Sequence, residues 1–339
     1  MACAEDRALL KAVNLEMSDK AVQLRQVQSF FVGGGVHTLS GLPVQERRIA
    51  MGASARRVDP NGDHMAGQMY VQRFALSAPR AALPVLMWHG GGMTGSHWES
   101  TPDGRPGWLW RFLQQGYDVY VSDAVERGRS SWAMFPEIYR EPPLFRSRDE
   151  GWHMFRLGPQ GGYATLESDR LAFPETRFPI EAFDEFAKQW VPRWADHEEL
   201  TLAAYSALIE RVGPCIVLAH SQGGGFAVAA AQRHPQLVKA VVVVEPAGMP
   251  EFNGQLVCPH LALWGDYVEQ HTVWKGYRAL ADRYWAAARE AGLAFESLDL
   301  PQAGMAGNSH FPMCDRNSDQ IAERIFHWLD RVVPPTSTY

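Results

Sequence analysis

Residues 215–225 read CIVLAHSQGGG, an apolar run that breaks at a serine set among small residues. The run suits a buried strand. Gly224, Gly225, Ala227, Ala229 and Ala230 suit a helix packed close to the sheet behind it. Ser221 then falls on a sharp strand-to-helix turn, with its oxygen raised above the sheet. Side chains two residues to either side would collide there, so Ala219 and Gly223 must be small. Ala219-His220-Ser221-Gln222-Gly223 thus occupies the G-x-S-x-G pattern that presents a nucleophilic serine, with alanine in place of the first glycine. Glycine-rich strand–helix turns are common, so the reading depends on what the rest of the chain supplies.

Residues 83–92, LPVLMWHGGG, read as a buried strand ending in a glycine loop. Beside a serine elbow, such a loop gives one backbone N–H to an oxyanion, and the residue after the nucleophile gives the other. Gly91 and Gln222 are the candidates, Gln222 acting through its backbone. Each aimed donor is worth about 3 kcal/mol in a transition state. The base is expected late in the chain, in the order Ser, acid, His. Among twelve histidines, His310 follows an expected last strand at 295–300. It sits in the loop 304–312, GMAGNSHFP, where a polar, glycine-rich setting suits a mobile general base. His327, in an apolar last helix, reads as structural. His220 points elsewhere on its tight turn, and His89 shapes the glycine loop.

Two acids compete to orient His310. Residues 241–246, VVVVEP, deliver Glu245 at the end of a buried strand; residues 261–266, LALWGD, deliver Asp266 at the end of the next. Asp266 holds the commoner position for this arrangement. Glu245 is favoured, because a carboxylate closing four valines needs a partner at that depth. Its strand also lies next to the nucleophile strand, within reach of the longer side chain.

These residues resemble the α/β-hydrolase superfamily, in the branch of bacterial serine esterases whose Ser-Glu-His triad takes its glutamate after the sixth strand. The resemblance is carried by QMYV at 68–71, HGGGMTGSHWESTPDGRPGW at 89–108, YDVYVSDAVERGRS at 117–130, HSQG at 220–223, VEP at 244–246 and GNSHFP at 307–312. The TGxxWExTPDGRxGW run is the specific part. The departures are Ala219 at the elbow and Gly91-Gly92 in an oxyanion loop that varies among relatives. The resemblance implies Ser221, Glu245 and His310 as triad, hydrolysis of a carboxylic ester or related acyl bond without cofactor, and pairing into homodimers.

The whole chain bounds the function further. Its 339 residues, 46% hydrophobic, are enough for one decorated domain with a large core. A net charge of −6 leaves no basic footprint for nucleic acid. Cys3, Cys215, Cys258 and Cys314 show neither metal spacing nor a dense disulfide framework. Cys314, near His310, reads as a bystander. No stretch approaches the ~20 apolar residues of a membrane span. The first residues, MACAEDRALLK, carry acids where a signal peptide needs positive charge. This predicts a cytoplasmic protein.

Residues 1–27 read as a helical arm, and 28–76 as an antiparallel opening of the sheet. Strands and helices then alternate: 86–88, 108–115, 119–123, 202–212, the elbow, 240–245, 260–264, a helix across 274–285, 295–300 and a last helix at 318–332. Alternation of this kind predicts an α/β fold, a mainly parallel sheet covered on both faces. Residues 132–196 break the pattern, with 13 aromatics in 65 residues. They read as a cap inserted into a core of 1–131 and 197–339. Most of the rings pack the insertion, yet so many over a serine site predict a partly apolar or aromatic substrate pocket.

The combined expectation is a serine esterase or lactonase acting on a small-molecule ester. Dehalogenase and epoxide-hydrolase chemistry is disfavoured, because it needs Asp at the elbow. Carbon–carbon bond hydrolysis or acyl transfer would keep the triad and change the substrate or acceptor. A ligand-binding receptor on the same scaffold is the remaining rival, and it has no use for all three triad residues.

Overall fold

The computed structural model describes residues 21–255 and 258–333. It has an eight-stranded sheet in the order β1-β4-β6-β5-β7-β8-β9-β10. The strands are β1 (Leu24–Leu39), β4 (Gly62–Leu76), β5 (Val85–Trp88), β6 (Val119–Asp123), β7 (Cys215–His220), β8 (Val238–Val244), β9 (His260–Trp264) and β10 (Phe295–Asp299). β2 (Gln45–Arg47) and β3 (Arg56–Val58) form a separate antiparallel pair. β8 is therefore the sixth strand of the main sheet along the chain. β1, β4 and β6 pair antiparallel, and β6, β5, β7, β8, β9 and β10 pair parallel. This is the α/β-hydrolase arrangement expected from the alternation.

The helical arm expected over 1–27 meets a correction. β1 begins at Leu24, and residues 1–20 lie outside the described residues. β1 runs 16 residues, pairing with β4 from Leu24 to Leu39, and most of it is exposed. An exposed edge strand shows little apolar periodicity, which hid its start. Gly33 and Gly34, at φ 65° and 80°, lie inside β1 rather than at a turn.

Side chains alternate across the central strands. Met87, Val121, Leu218, Val242 and Leu263 face one core; Trp88, Val217, Ala219, Val243 and Trp264 face the other. Helices α1 (Trp108–Gln115) and α7 (Ser318–Val332) pack on the first face. Helices α4 (Glu198–Val212), α5 (Gln222–Arg233) and α6 (Thr272–Glu290) pack on the second. Two buried faces explain why these strands read as continuous apolar runs.

Residues 132–196 contain the short helices α2 (Arg148–Met154) and α3 (Phe183–Ala187). Trp152, Phe178, Phe183, Phe186 and Trp190 join the same apolar cluster as Trp98, Trp108, Phe311 and Met313 of the sheet layer. These five rings therefore extend the first core, while Trp132, Tyr139 and Trp194 pack with Ala66 in a small separate cluster. His327 lies in α7 as expected, on its exposed side, because the helical period places Phe326 and Trp328 inward.

The start of α5 presses against the end of β5. A Cβ on Gly223 would stand 2.6 Å from the His89 carbonyl oxygen and 3.0 Å from that of Trp88. Both obstacles are backbone, so neither can rotate away. Gly223→Ala is expected to cost about 1–3 kcal/mol through overpacking, read as a lower urea midpoint. An unchanged midpoint would mean that the elbow is not tightly packed there.

Candidate active site

β7 is fully buried and ends at Ser221, which has φ 54° and ψ −122°, a strained backbone for a non-glycine residue. Surrounding bonds hold it. Ser221 N–H donates to Val244 O at 2.9 Å, and Ser221 O accepts from Gly224 and Ala247 N–H at 2.8 and 3.0 Å. Gly90 must lack a side chain, since its Cβ would stand 2.8 Å from Ser221 Cβ. Ser221 is 8% exposed and lines a cavity of about 640 Å³.

Glu245 follows β8 with φ 54° and no exposure to solvent. Its Oε2 accepts from His310 Nδ1 at 3.3 Å. Its Oε1 accepts from Arg156 Nη2 at 2.6 Å and from the backbone N–H of Gly265. Asp266, the competing acid, does not bond the His310 ring. Its Oδ1 accepts from Tyr267 N–H at 2.7 Å and its Oδ2 from Gly307 N–H at 3.0 Å. Asp266 braces the histidine loop instead.

His310 also lines the cavity. Among the described residues no hydrogen bond joins its ring to Ser221 Oγ; such bonds are often long in free enzymes and tighten with substrate. The expectation of a mobile base needs correction. His310 is 1% exposed, and Asn308 and Ser309 are fully buried. Asp315 pins this loop: Oδ2 accepts from Ser309 N–H and Asn308 Nδ2, and Oδ1 from Ser309 Oγ, each at 2.8 Å. His310 N–H donates to Phe155 O at 3.0 Å, and His220 Nε2–H donates to His310 O at 2.8 Å. His220 thus uses its ring to hold the His310 backbone.

Burial, then the charges of Arg156 and Arg146, hold the His310 imidazole well below its ordinary range. Burial also pushes Asp315 up to about 7, against its hydrogen bonds. His89 is brought down to about 4 by burial. As a neutral ring it donates from Nδ1 to Gly90 O and accepts at Nε2 from Ala124 N–H, both at 2.8 Å. It shapes the glycine loop and ties it to the end of β6. Cys314 is buried, and its thiol is pushed up by burial, as suits a bystander.

Gly91 and Gln222 both line the cavity beside Ser221. Among the described residues neither backbone N–H donates to a protein acceptor. The Gln222 side chain folds over the loop, its Oε1 lying 3.0 Å from where a Gly91 Cβ would stand. Among the described residues no group of three or more His, Cys, Asp or Glu side chains is placed to hold a metal ion.

Residues 84–291 match the family described as alpha/beta hydrolase fold. The chain belongs to that family. This hydrolase is similar to a structure described as a novel bacterial esterase, with 31% identity, a TM-score of 0.79, and coverage of 93% of this chain and 98% of the other. It is also 29% identical over 325 residues to the probable secreted lipase phiG of Fungal sp. (strain ATCC 74256), covering 78% of this chain and 86% of that one. Esterase and lipase relatives support a carboxylic ester hydrolase. Among the described residues no helix is long and apolar enough to cross a membrane. The cytoplasmic expectation rested on residues within 1–20, which lie outside them.

Sequence reasoning missed Arg156. It sits just after α2 at φ 57°, 1% exposed at its side chain, with Nε donating to Asp266 O at 2.7 Å. Removing it would leave the Glu245 charge buried beside His310 without its cation. Imidazolium would then be favoured, so the acid limb of kcat/KM moves to higher pH. In the wild type that limb is expected below 6.5, the ordinary imidazole value. Arg156→Met should raise it and cost about 3–5 kcal/mol in stability; Arg156→Lys should restore part of both. A pH–rate series on a chromogenic ester tests this. An unmoved limb in a folded Arg156→Met protein would show that Arg156 does not act through the base.

Proposed function

We propose that this hydrolase is a serine carboxylester hydrolase using Ser221, His310 and Glu245. The observation that carries the reading is the Glu245–His310 contact of 3.3 Å at the end of the strand beside the nucleophile strand. With Nδ1 turned to Glu245, Nε2 is the nitrogen available to Ser221. Ser221 Oγ attacks the carbonyl carbon and gives its proton to His310, while the C=O electron pair moves onto oxygen. Gly91 and Gln222 N–H groups receive that oxyanion. Collapse expels the alcohol, which takes the proton from His310. Water, deprotonated by His310 in its turn, then resolves the acyl-enzyme. Glu245 holds the tautomer and stabilises the imidazolium. Lactone opening is the same chemistry on a cyclic ester.

Met154, Phe155, Phe226, Met249, Trp274 and Tyr277 line the cavity and suit a partly apolar substrate. Phe155 belongs to the cap insertion, so the cap shapes the substrate space.

Ser221→Ala should abolish turnover of p-nitrophenyl esters and lactones while the protein stays folded, and a serine-directed phosphonate should add once, at Ser221. Glu245→Gln should lose on the order of 10⁴ in kcat, while Asp266→Asn keeps the greater part of its activity. Labelling elsewhere, or a dead Asp266→Asn beside an active Glu245→Gln, would overturn the assignment.

A further inference from the structure

The cavity wall beside the glycine loop is cationic. Arg146 and Arg193 line the same cavity as Ser221 and His310. Both come from the cap insertion. A short backbone pairing positions them: Leu144 N–H donates to Arg193 O at 2.6 Å, and Arg193 N–H to Leu144 O at 2.9 Å. Val191 N–H donates to Gly92 O at 2.9 Å, which fastens this segment to the glycine loop. Arg193 Nη1 consequently lies only 3.6 Å from the point where a Cβ on Gly91 would stand.

Charge is unbalanced here. One oxygen, Glu150 Oε1, serves both guanidiniums, Arg146 Nη1 at 2.5 Å and Arg193 Nη2 at 3.7 Å. The longer contact is no hydrogen bond. Among the described residues the Arg193 guanidinium donates no hydrogen bond, and its side chain is 30% exposed. Burial, and then Arg193 itself, lowers Arg146 to about 10, which still leaves it charged at neutral pH. On the walls formed by α4 and α5, Arg233 is occupied by Glu199 at 2.9 Å, and Glu198 adds a negative charge. A neutral ester gains nothing from two cations sharing one acid beside its carbonyl. A second anion there would relieve their repulsion and meet a free guanidinium fork.

We infer that Arg193, backed by Arg146, selects esters carrying a carboxylate close to the scissile carbonyl, in the acid or the alcohol half. This deepens the ester-hydrolase reading and rests on it. The anion pairs with Arg193 while the carbonyl oxygen takes the Gly91 and Gln222 N–H groups. Arg193 then discriminates between substrates instead of serving every ester alike.

The test compares two anionic probes, monoethyl glutarate and carboxymethyl butyrate, with the neutral ethyl valerate and ethyl butyrate in a pH-stat. At least one anionic probe should exceed its neutral counterpart in kcat/KM. Arg193→Gln should cut that ratio on the order of 10–100-fold, chiefly through KM, and Arg193→Lys should recover part of it. Calorimetry of glutarate with the Ser221→Ala protein gives a readout without turnover: binding should weaken when Arg193→Gln is added. A wild type that prefers the neutral esters overturns the inference. So does an Arg193→Gln protein that loses both classes equally, since Arg193 would then serve the common oxyanion or the fold. If the wild type cleaves none of the four esters while glutarate binding still depends on Arg193, the ester-hydrolase reading falls and the anion site stands.

Discussion

A carboxylate with no exposure to solvent sits at the end of β8, and close polar partners surround it. Desolvating such a group costs several kcal/mol, which only close partners offset. Glu245 finds them in Arg156, the Gly265 backbone and the His310 ring. These partners come from the segment 132–196, from the end of β9 and from the loop after β10. Arg156 in turn bonds the Asp266 carbonyl, and Asp266 bonds the start of the histidine loop through Gly307. Glu245, the His310 loop and the segment around Arg156 are therefore one hydrogen-bonded unit.

The neutral histidines extend this logic. His89 and His220 are buried, and burial keeps them uncharged. Each uses a ring nitrogen to fix backbone: His89 at Gly90 and Ala124, His220 at His310. An imidazole suits this role because it is rigid and can donate at one nitrogen while accepting at the other. These two imidazoles therefore hold the glycine loop and the His310 loop as neutral rings.

Local pattern made the elbow readable: a buried strand, a serine and a run of small residues leave few alternatives, and Ser221 duly carries the strained φ of a tight turn. Glu245 was legible through an energetic argument, that a carboxylate closing four valines must have a partner. Arg156 was not, because it lies in an aperiodic segment 89 residues from Glu245 and meets it only through the tertiary fold. The pinning of His310 was hidden for a related reason. Glycines and polar residues at 304–312 suggest mobility, whereas Asp315 turns that polarity inward as a closed network. The start of β1 was missed because an exposed edge strand has no buried face to impose alternation.

The origin of Arg156 has a consequence for how such chains can diverge. A lid that only covers a site can be exchanged like a cassette, taking new specificity without touching the chemistry. Here residues 132–196 supply the guanidinium paired with Glu245, and the Phe155 carbonyl accepts from the backbone N–H of His310. Exchanging 132–196 as a block would discard both contacts along with whatever cover the segment provides. On the triad reading, substrate range could then change without loss of that support only through positions on either side of residues 154–156.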